Sequence, residues 1–375
     1  MTSQHSIIAD GRNTLELSPQ QGEAIDRIED WYARSNKQVF YLAGLGGTGK
    51  TTLVVALQAV LDNVQYCSLT GKAASVLRAR GAKNACTLHS LLYGAPEVRK
   101  HKGREELVWY RREGKLLVDL IVADECSMID HKLGRDLLAT GVKILVTGDP
   151  VQLPPVLGEP FFNKPDFTLT EIHRQAANSQ PLKLATAIRT GERIKPRRFN
   201  LDALLDHDIV IAALNRTRRN INQLMRRSFG ITDEYPVVGE RIVGLRNNSA
   251  TGILNGTLWT IEALTRDDLR LNVDLVDDIG NVAQVEAHAD GFLLRQLDLN
   301  EREYEGLDLF DFGYCLTCHK AQGSEWDSVV VIDETDSPGF AMITGNLSQS
   351  EFRTRWLYTA VTRAKSRVSL MGVPS

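Results

Sequence analysis

Features that mark several specialised protein classes are scarce in this sequence. Its 375 residues include only five cysteines, an odd number, and no apolar run long enough to span a membrane. The segment Met1–Ser6 lacks a charged start and a following apolar stretch, so we expect no secretory signal. Low cysteine use is typical of a reducing compartment. We therefore expect a cytoplasmic protein, or one of the host cytoplasm if it is viral, rather than a disulfide-rich secreted domain or a membrane protein.

An excess of positive charge is also missing. The chain has 44 Lys and Arg against 47 Asp and Glu, a formal net charge of −3. Binding of nucleic acid through bulk charge alone is therefore excluded, and any such binding must use local patches and neutral donors. Solenoid repeats and low-complexity tracts do not occur. At this length we expect two or more domains with ample core.

What the sequence does contain is a glycine-rich octet between an apolar strand and a helix. The octet Gly44-Leu45-Gly46-Gly47-Thr48-Gly49-Lys50-Thr51 matches the phosphate-binding pattern G-x-x-x-x-G-K-[ST]. Its glycines let backbone N–H groups approach phosphates, Lys50 brings positive charge to the β- and γ-phosphates, and the Thr51 hydroxyl ligates Mg²⁺. Residues 38–43 predict the strand and residues 51–57 the helix. We interpret the octet as a nucleotide site.

Two further segments predict the rest of a nucleotide hydrolase. Residues 120–123 read as a buried strand that ends in Asp124 and Glu125, at the sheet edge where open α/β folds bind ligands. Asp124 would hold Mg²⁺, and Glu125 would accept a proton from the attacking water. In the proline-rich loop 147–155, Gln152 is placed to sense the γ-phosphate. The alternatives are an ordinary acidic strand end and a plain proline-rich turn.

Strands and helices alternate over most of the chain, which predicts parallel sheets covered on both faces. Two segments interrupt this alternation. Residues 95–118 read as a hairpin with its turn at residues 113–115. Residues 240–298 alternate short β-rich runs with turn signals, which is typical of a small antiparallel barrel.

The ordered motifs resemble those of superfamily 1 helicases, in the RecD/Dda-like 1B branch. Residues 17–21 resemble the glutamine motif, 68–74 motif Ia, 86–92 motif Ib, 124–128 motif II, 148–155 motif III, 169–175 motif IV, 317–326 motif V and 357–365 motif VI. The resemblance runs from about residue 15 to 372. It implies an α/β fold with two RecA-like P-loop motor domains, 1–172 and 173–375. It also implies a hairpin insertion in the first domain, at about 95–118, and a small SH3-like β-barrel insertion in the second, at about 240–298.

The resemblance implies roles around the nucleotide. Gln21 would read the adenine edge and Glu325 would contact the ribose. The phosphate cradle would comprise Gly44, Gly46, Gly47, Thr48, Gly49, Lys50, Thr51 and Thr52. Arg174 and Arg363 would be arginine fingers that offset charge on the γ-phosphoryl oxygens. The alternatives are solvated surface charges for the two arginines and for Glu325.

The resemblance also implies contacts with single-stranded DNA. The residues concerned are Thr70, Thr87, His89, Pro154, Thr317 and His319. Hydroxyl and imidazole groups hold phosphates without reading sequence. The basic clusters 99–102 and 216–227 either add an electrostatic funnel or form solvated faces. Trp109 or Tyr110 either stacks on a terminal base pair as a wedge or anchors the hairpin to the body.

Together these features predict an ATP-dependent DNA helicase that separates duplex strands, with ATP and Mg²⁺ as cofactors. Its partners would be single-stranded DNA and fork DNA, with no membrane, and the resemblance alone implies 5′→3′ movement. Two alternatives stay open: a translocase that displaces proteins with little unwinding, and a non-motor P-loop ATPase. The pattern Cys315-x-x-Cys318-His319 matches covalent haem attachment, but that chemistry needs export, so we expect an ordinary cysteine pair. Protein partners and oligomeric state do not follow from the sequence.

Overall fold

The fold comprises two open parallel sheets, a closed barrel and two small antiparallel pairs. A computed structural model describes residues 6–9, 13–59, 61, 63–82, 84–94, 97–101, 104–108, 110–155, 158–172, 179–248, 250–278, 280–293, 304 and 306–374. Within these ranges, none of the helices combines the length and the apolar character that crossing a bilayer requires.

The strands and helices have the following bounds. The strands are β1 (Ser6–Ala9), β2 (Asn13–Glu16), β3 (Val39–Gly44), β4 (Val64–Ser68), β5 (Cys86–Thr87), β6 (Glu97–His101), β7 (Arg104–Val108), β8 (Leu120–Ala123), β9 (Lys143–Gly148), β10 (Phe167–Leu169), β11 (Ile209–Ala212), β12 (Arg241–Gly244), β13 (Leu258–Asp267), β14 (Arg270–Asp277), β15 (Val282–His288), β16 (Asp308–Phe312), β17 (Cys315–Thr317), β18 (Trp326–Asp333) and β19 (Ala364–Gly372). The helices are α1 (Pro19–Arg34), α2 (Lys50–Ala56), α3 (Gly71–Ala79), α4 (Leu88–Leu92), α5 (His131–Leu138), α6 (Gln180–Arg189), α7 (Leu201–Leu205), α8 (Asn215–Ser228), α9 (Cys318–Ala321), α10 (Pro338–Ala341) and α11 (Gln349–Val361).

The first parallel sheet has six strands in the order β10-β3-β9-β8-β4-β5. Its central strands are mostly apolar, and all four residues of β8 are apolar and buried, as expected for a sheet covered on both faces. Polar residues start the covering helices. Ser18 accepts a hydrogen bond from the Gln21 N–H and forms a capping box, and Thr70 and Asp130 cap α3 and α5 in the same way. Because β3, β9 and β8 are parallel neighbours, the carboxyl ends of β3 and β8 lie at the same edge of the sheet.

The second parallel sheet has four strands in the order β17-β11-β18-β19. Phe340 of α10 and Trp356 of α11 pack against its apolar strands, with ring centroids 5.9 Å apart. Helix α8 has no capping side chain of its own at its start. The Glu334 carboxylate instead accepts the N–H groups of Ala213 and Leu214 at 2.7 and 2.8 Å. The negative charge of Glu334 near the start of α8 also interacts favourably with the helix dipole.

The barrel consists of β12 to β16, so it extends beyond the predicted limit of residue 298. Its last strand, β16, pairs with β12 in the antiparallel sense and with β15 in the parallel sense, so the predicted all-antiparallel barrel is also corrected. Sequence patterning missed this strand because Asp308 and Asp311 make it look polar. Both aspartates are nevertheless buried, at 0% and 5% exposure.

Within the segment predicted as a hairpin, β6 and β7 pair in the antiparallel sense, with His101 opposite Arg104. The predicted turn at residues 113–115 does not lie between these two strands, and the role of the segment as an insertion stays a prediction. Gly114 lies in a bend after the pair, with a φ of 102°. Tyr110 is 37% exposed, and Trp109 lies outside the described residues.

Two arginines of the basic helix α8, Arg218 and Arg226, are buried and therefore belong to neither a funnel nor a solvated face. Arg216 and Arg227 are exposed, and for them the interpretation stays a prediction. The Arg226 guanidinium donates to both Glu240 carboxylate oxygens, at 2.7 and 3.0 Å, and lies 4.0 Å from the centroid of the Phe312 ring. Arg218 donates to Asp311 at 2.6 Å. The helix therefore joins the barrel to the second sheet through buried charge pairs.

The buried pair gives a stability prediction. We expect Arg226→Ala to lower the free energy of unfolding by about 3–5 kcal/mol, because it leaves the Glu240 carboxylate buried without its partner. The exposed neighbour provides a control, and Arg227→Ala should change stability by no more than about 0.5 kcal/mol. Urea unfolding measures both. Equal losses in the two variants would contradict a specific role for the buried pair.

Candidate active site between the two parallel sheets

The glycine-rich loop after β3 wraps around the Lys50 ammonium. Lys50 Nζ donates to the carbonyl oxygens of Gly44 and Leu45, at 2.7 and 3.0 Å. Gly47 and Gly49 have φ values of 79° and 78°, in the left-handed region that favours glycine. The loop thus has the conformation that the octet predicts, with the positive charge at its centre and helix α2 beginning at Lys50.

Oxygen groups converge at the end of β8. The Thr51 hydroxyl donates to one Asp124 carboxylate oxygen at 3.1 Å. The other oxygen accepts the Thr147 hydroxyl, and also the Glu125 backbone N–H at 3.0 Å. Mg²⁺ in nucleotide sites is bound by one or two such oxygen groups together with phosphates and water. The residues therefore fit this ion, with Thr51 and Asp124 as the protein's share of its ligands.

Glu125 is held in an unusual backbone conformation beside these groups. Its φ of 60° lies in the left-handed region, which costs a non-glycine residue about 1–3 kcal/mol. Burial raises the pKa of its carboxyl and the nearby Asp124 charge raises it further, while Arg363 and Lys50 oppose the rise. A carboxylate with a raised pKa accepts a proton more readily than an ordinary one.

Helix α11 of the second sheet reaches the same loop. The Tyr358 hydroxyl accepts the Gly46 N–H at 3.1 Å and donates to an Asp149 carboxylate oxygen at 2.7 Å. Arg363 follows this helix and is only 5% exposed. Its Nε and Nη1 atoms donate to the carbonyl oxygens of Thr359 and Ser324, at 3.1 and 3.4 Å. These bonds hold the guanidinium on the side of the second sheet.

A cavity of about 760 Å³ lies between the two sheets at this point. It brings together many of the predicted site residues: Gly46, Gly47, Gly49, Lys50, Thr51, Thr52, Asp124, Glu125, Gln152, Glu325 and Arg363. Gly44 and Thr48 lie in the loop but do not line the cavity. Arg174 and its neighbour His173 lie outside the described residues.

Gln21 supports the loop from behind. Its Nε2 donates to the Thr48 carbonyl at 3.1 Å, and its Oε1 accepts the Ser18 N–H at 3.0 Å. Its contact with adenine stays a prediction. Glu325 is about half exposed and lies 3.6 Å from Arg80, so its contact with ribose also stays a prediction.

Loop 149–155 connects this cavity to a second one. The Leu153 N–H donates to the Thr359 hydroxyl at 2.9 Å, and Arg355 Nη1 donates to the Pro150 carbonyl at 3.0 Å. The loop is therefore bonded directly to helix α11 of the second sheet. Gln152 lines both cavities.

The second cavity, of about 590 Å³, contains three of the residues that were predicted to bind DNA. These are Pro154, Thr317 and His319. Burial lowers the pKa of the His319 imidazole, so it is neutral at physiological pH and acts as a hydrogen-bonding group. At its wall, Ser127 Oγ and Gln152 Oε1 are buried and have no hydrogen-bond partner among the described residues. A polar ligand in the cavity would satisfy these atoms.

The other three predicted DNA contacts line neither cavity. Thr70 and Thr87 cap helices α3 and α4, where they accept the N–H groups of Ala73 and Ser90 at 3.1 Å each. His89 on α4 is exposed over part of its surface, and the partial burial of the rest of the ring together with the Lys132 charge lowers its pKa. Their roles stay predictions.

Sequence reasoning missed Tyr358 and Asp149 as site residues. Both fall within quoted motifs, VI and III, but a tyrosine in an apolar helix reads as core. The available signal was that an aspartate of motif III and a tyrosine of motif VI can form a hydrogen bond if the two motifs meet at one site. Only the packing of α11 against the loop of the first sheet reveals their hydrogen bond.

Two of the similar proteins are much longer than this chain. The "ATP-dependent RecD2 DNA helicase" of Deinococcus radiodurans is 28% identical, over 96% of this chain and 49% of the relative. The "Conjugal transfer protein TraA" of Rhizobium radiobacter is 25% identical, over 86% of this chain and 30% of the relative. The chain thus spans about half and about a third of the lengths of these two relatives.

Two family models match the chain itself. The model described as "AAA domain" matches residues 16–214, more than half of the chain, and "UvrD-like helicase C-terminal domain" matches residues 312–371. The chain belongs to this AAA-domain family. The two matches include the glycine-rich loop and the helix that precedes Arg363.

Solved structures share the fold of this chain. Pif1 helicase from Bacteroides in complex with ADP-AlF3 and single-stranded DNA has a TM-score of 0.59 at 21% identity, over 96% of this chain and 95% of that one. A structure of two Pif1 helicases at forked double-stranded DNA has a TM-score of 0.60 at 20% identity, over 95% and 92%. The two parallel sheets and the barrel therefore form a helicase fold.

The raised pKa of Glu125 gives a test of the electrostatics in this site. A raised pKa means that folding disfavours the charged carboxylate, so the charge costs stability above the ordinary glutamate value of 4.5 and nothing well below it. Glu125→Gln removes the charge and keeps the shape. We expect its Tm to exceed the wild-type Tm by about 2 °C at pH 8, with the difference vanishing as the pH falls towards 4.5.

Differential scanning calorimetry across this pH range measures the effect. Glu192 is exposed, so Glu192→Gln serves as the control and should leave the Tm unchanged at every pH. A difference for Glu125→Gln that stayed constant with pH would show that the carboxylate charge is not its cause.

Proposed function

We propose that this chain is an ATP-dependent DNA helicase that moves 5′→3′ on single-stranded DNA and separates duplex strands. One observation carries the proposal: residues of both parallel sheets line a single cavity around the glycine-rich loop. Lys50 and Glu125 come from the first sheet and Arg363 from the second. Because each side supplies groups that the other lacks, binding of a triphosphate favours closure of the cleft and its cleavage favours opening.

The proposed chemistry is hydrolysis of ATP by an attacking water. Lys50 neutralises charge on the β- and γ-phosphates, and Glu125 accepts the proton of the water. Thr51 and Asp124 would hold Mg²⁺, which when bound offsets phosphate charge. Arg363 stabilises the charge that develops on the γ-phosphoryl oxygens.

Further contacts with the nucleotide rest on the family resemblance. Gln152 orients the water or senses the γ-phosphate. Arg174 acts as a second finger, Gln21 reads the adenine and Glu325 contacts the ribose. The backbone and side chains of Gly44, Gly46, Gly47, Thr48, Gly49 and Thr52 complete the phosphate cradle.

The proposed route from ATP to DNA passes along loop 149–155. Gln152 faces the nucleotide cavity, and Pro154 lies two residues further along in the cavity with Thr317 and His319. Because the loop is bonded to helix α11, a change in cleft closure moves Pro154 relative to its own sheet. We assign Pro154, Thr317 and His319 to the part of the single-stranded DNA that leaves the cleft. Thr70, Thr87 and His89 are assigned to the part of the DNA that lies over the first sheet.

The proposed domains are residues 1–172 and 173–375, each a RecA-like motor unit. The pair β6–β7 would act as a wedge at the fork, with Trp109 or Tyr110 at the junction, and the barrel as an SH3-like grip on the strand. The RecD2 relative is named a DNA helicase, and Pif1 structures hold single-stranded or forked DNA, which supports this substrate class.

A second candidate is a translocase that displaces proteins and unwinds poorly. The observation that favours it is the length of the wedge, since β6 and β7 have only five residues each. Both candidates require the same ATP chemistry. They differ in whether duplex strands separate.

The arginine finger gives a test of the ATP chemistry. We expect Arg363→Ala to lower the DNA-stimulated turnover number by about 10³-fold while ATP affinity stays within a few-fold, because the guanidinium acts on charge that develops only during transfer. Arg367→Ala is the matched control, since Arg367 is exposed and pairs with Asp206 at the surface. Steady-state hydrolysis and nucleotide titration measure both. An unchanged rate in Arg363→Ala would remove this residue from the site.

Strand displacement tests polarity and unwinding together. We expect the chain to separate a labelled duplex that carries a 5′ single-stranded overhang, in an ATP-dependent manner, and to leave a duplex with a 3′ overhang intact. Displacement of a protein block from single-stranded DNA without strand separation would favour the translocase. Hydrolysis indifferent to single-stranded DNA would contradict both motor proposals.

A further inference from the structure

Two cysteines lie side by side at the edge of the first sheet. Cys67 of β4 and Cys86 of β5 are register partners in parallel strands, and their Sγ atoms are 3.8 Å apart. Neighbouring strands lie about 4.8 Å apart, which is within the Cα separation that a disulfide needs. Both thiols are free in the structure.

We propose that Cys67 and Cys86 form a reversible intramolecular disulfide site that responds to peroxides and alters contact with single-stranded DNA. The disulfide itself does not depend on the proposed helicase function. Its effect on DNA rests on that function.

The surroundings distinguish Cys86 from the other cysteines. Cys86 is partly exposed, and its contact with Cys67 together with the positive charges of Arg78 and Arg112 lowers its pKa to about 7. A substantial fraction of its thiol is then ionised at neutral pH, which is the reactive form. Its partner Cys67 is buried, and the contact with Cys86 together with burial raises the pKa of that thiol, so Cys86 is the thiol that reacts first. Cys126, Cys315 and Cys318 are also buried, and burial raises their pKa values.

The edge position lets the sulfurs approach. A disulfide bond is about 2.05 Å long, so the Sγ atoms must move closer by somewhat less than 2 Å. Strand β5 has only two residues and is the last strand of the sheet. It can therefore shift towards β4 without breaking a ladder on its other side.

The chemistry balances with hydrogen peroxide as the oxidant. The Cys86 thiolate attacks one peroxide oxygen, the O–O bond breaks, hydroxide leaves and Cys86 becomes a sulfenic acid. The Cys67 thiol then attacks Cys86 Sγ, the S–S bond forms and the sulfenic hydroxyl leaves as water. The proton first lost by Cys86 neutralises the hydroxide. Two thiols and one peroxide give one disulfide and two waters.

The site lies next to the proposed working parts. The Cys67 carbonyl accepts the Asp124 N–H at 2.9 Å, directly behind the proposed Mg²⁺ ligand. Thr70 caps the helix after β4, and Thr87 follows Cys86 in β5. Drawing β5 towards β4 changes the spacing of these two hydroxyls, which we assign to the DNA backbone.

The experiment oxidises the whole chain with stoichiometric hydrogen peroxide, then alkylates it under denaturing conditions. We expect three alkylated cysteines instead of five, with a disulfide-linked peptide that joins Cys67 to Cys86 in the mass spectrum. Dithiothreitol should restore five. Cys86→Ser should retain all four remaining thiols under the same treatment, and Cys67→Ala provides a second variant should one of them fold poorly.

The effect of oxidation on DNA binding is measured separately from its effect on ATP hydrolysis without DNA. We expect oxidation to raise the single-stranded DNA concentration that half-saturates ATPase stimulation by about threefold or more, reversibly, with hydrolysis in the absence of DNA unchanged. Cys86→Ser should not respond. Five alkylated cysteines after oxidation, a bond between another pair, or the same DNA response in Cys86→Ser would overturn the proposal. Disulfide formation in a chain that shows no DNA-stimulated hydrolysis would refute the helicase assignment and leave the disulfide site standing.

Discussion

The relative position of the two parallel sheets depends on the hydrogen bonds of one buried carboxylate. Asp149 is fully buried, and it accepts the Tyr358 hydroxyl from the second sheet and the Val151 N–H from its own loop. Leaving a buried charged acceptor without a donor costs roughly 1–3 kcal/mol or more. Since Tyr358 also accepts the Gly46 N–H, the same hydroxyl sets the distance from the glycine-rich loop to helix α11. The hydroxyl therefore joins three parts of the site: the glycine-rich loop, the loop after β9 and helix α11.

The contacts of helix α11 with the first sheet and those of helix α8 with the barrel differ in kind. The first sheet meets helix α11 through neutral hydrogen bonds, such as Leu153 to Thr359, each worth about 1 kcal/mol net, and through the bond of Tyr358 to the buried Asp149 carboxylate. The barrel is attached through two buried charge pairs, Arg226–Glu240 and Arg218–Asp311, whose separation is more costly. In the proposed motor cycle the cleft opens while the barrel stays with the second sheet.

Local chemistry explains which features the sequence could predict. The octet around Lys50 and the strand before Asp124 carry their whole signal within a few residues, so strand, loop and helix were all predicted. The burial of Arg226 and the role of Tyr358 depend on partners distant in sequence, and no local pattern contains them. Strand β16 was missed for the same reason, because its buried aspartates find their surroundings only in the closed barrel.

The left-handed backbone at Glu125 places stability and ATP hydrolysis in conflict at one residue. Glycine and asparagine adopt that conformation more cheaply than glutamate, and both dispense with the buried charge. A mutant library selected for heat resistance would therefore enrich them at this position. Each variant enriched in this way would lack the carboxylate that we propose as the acceptor of the proton from water. Laboratory evolution of a hardier enzyme would thus have to hold residue 125 constant and seek its gains elsewhere in the chain.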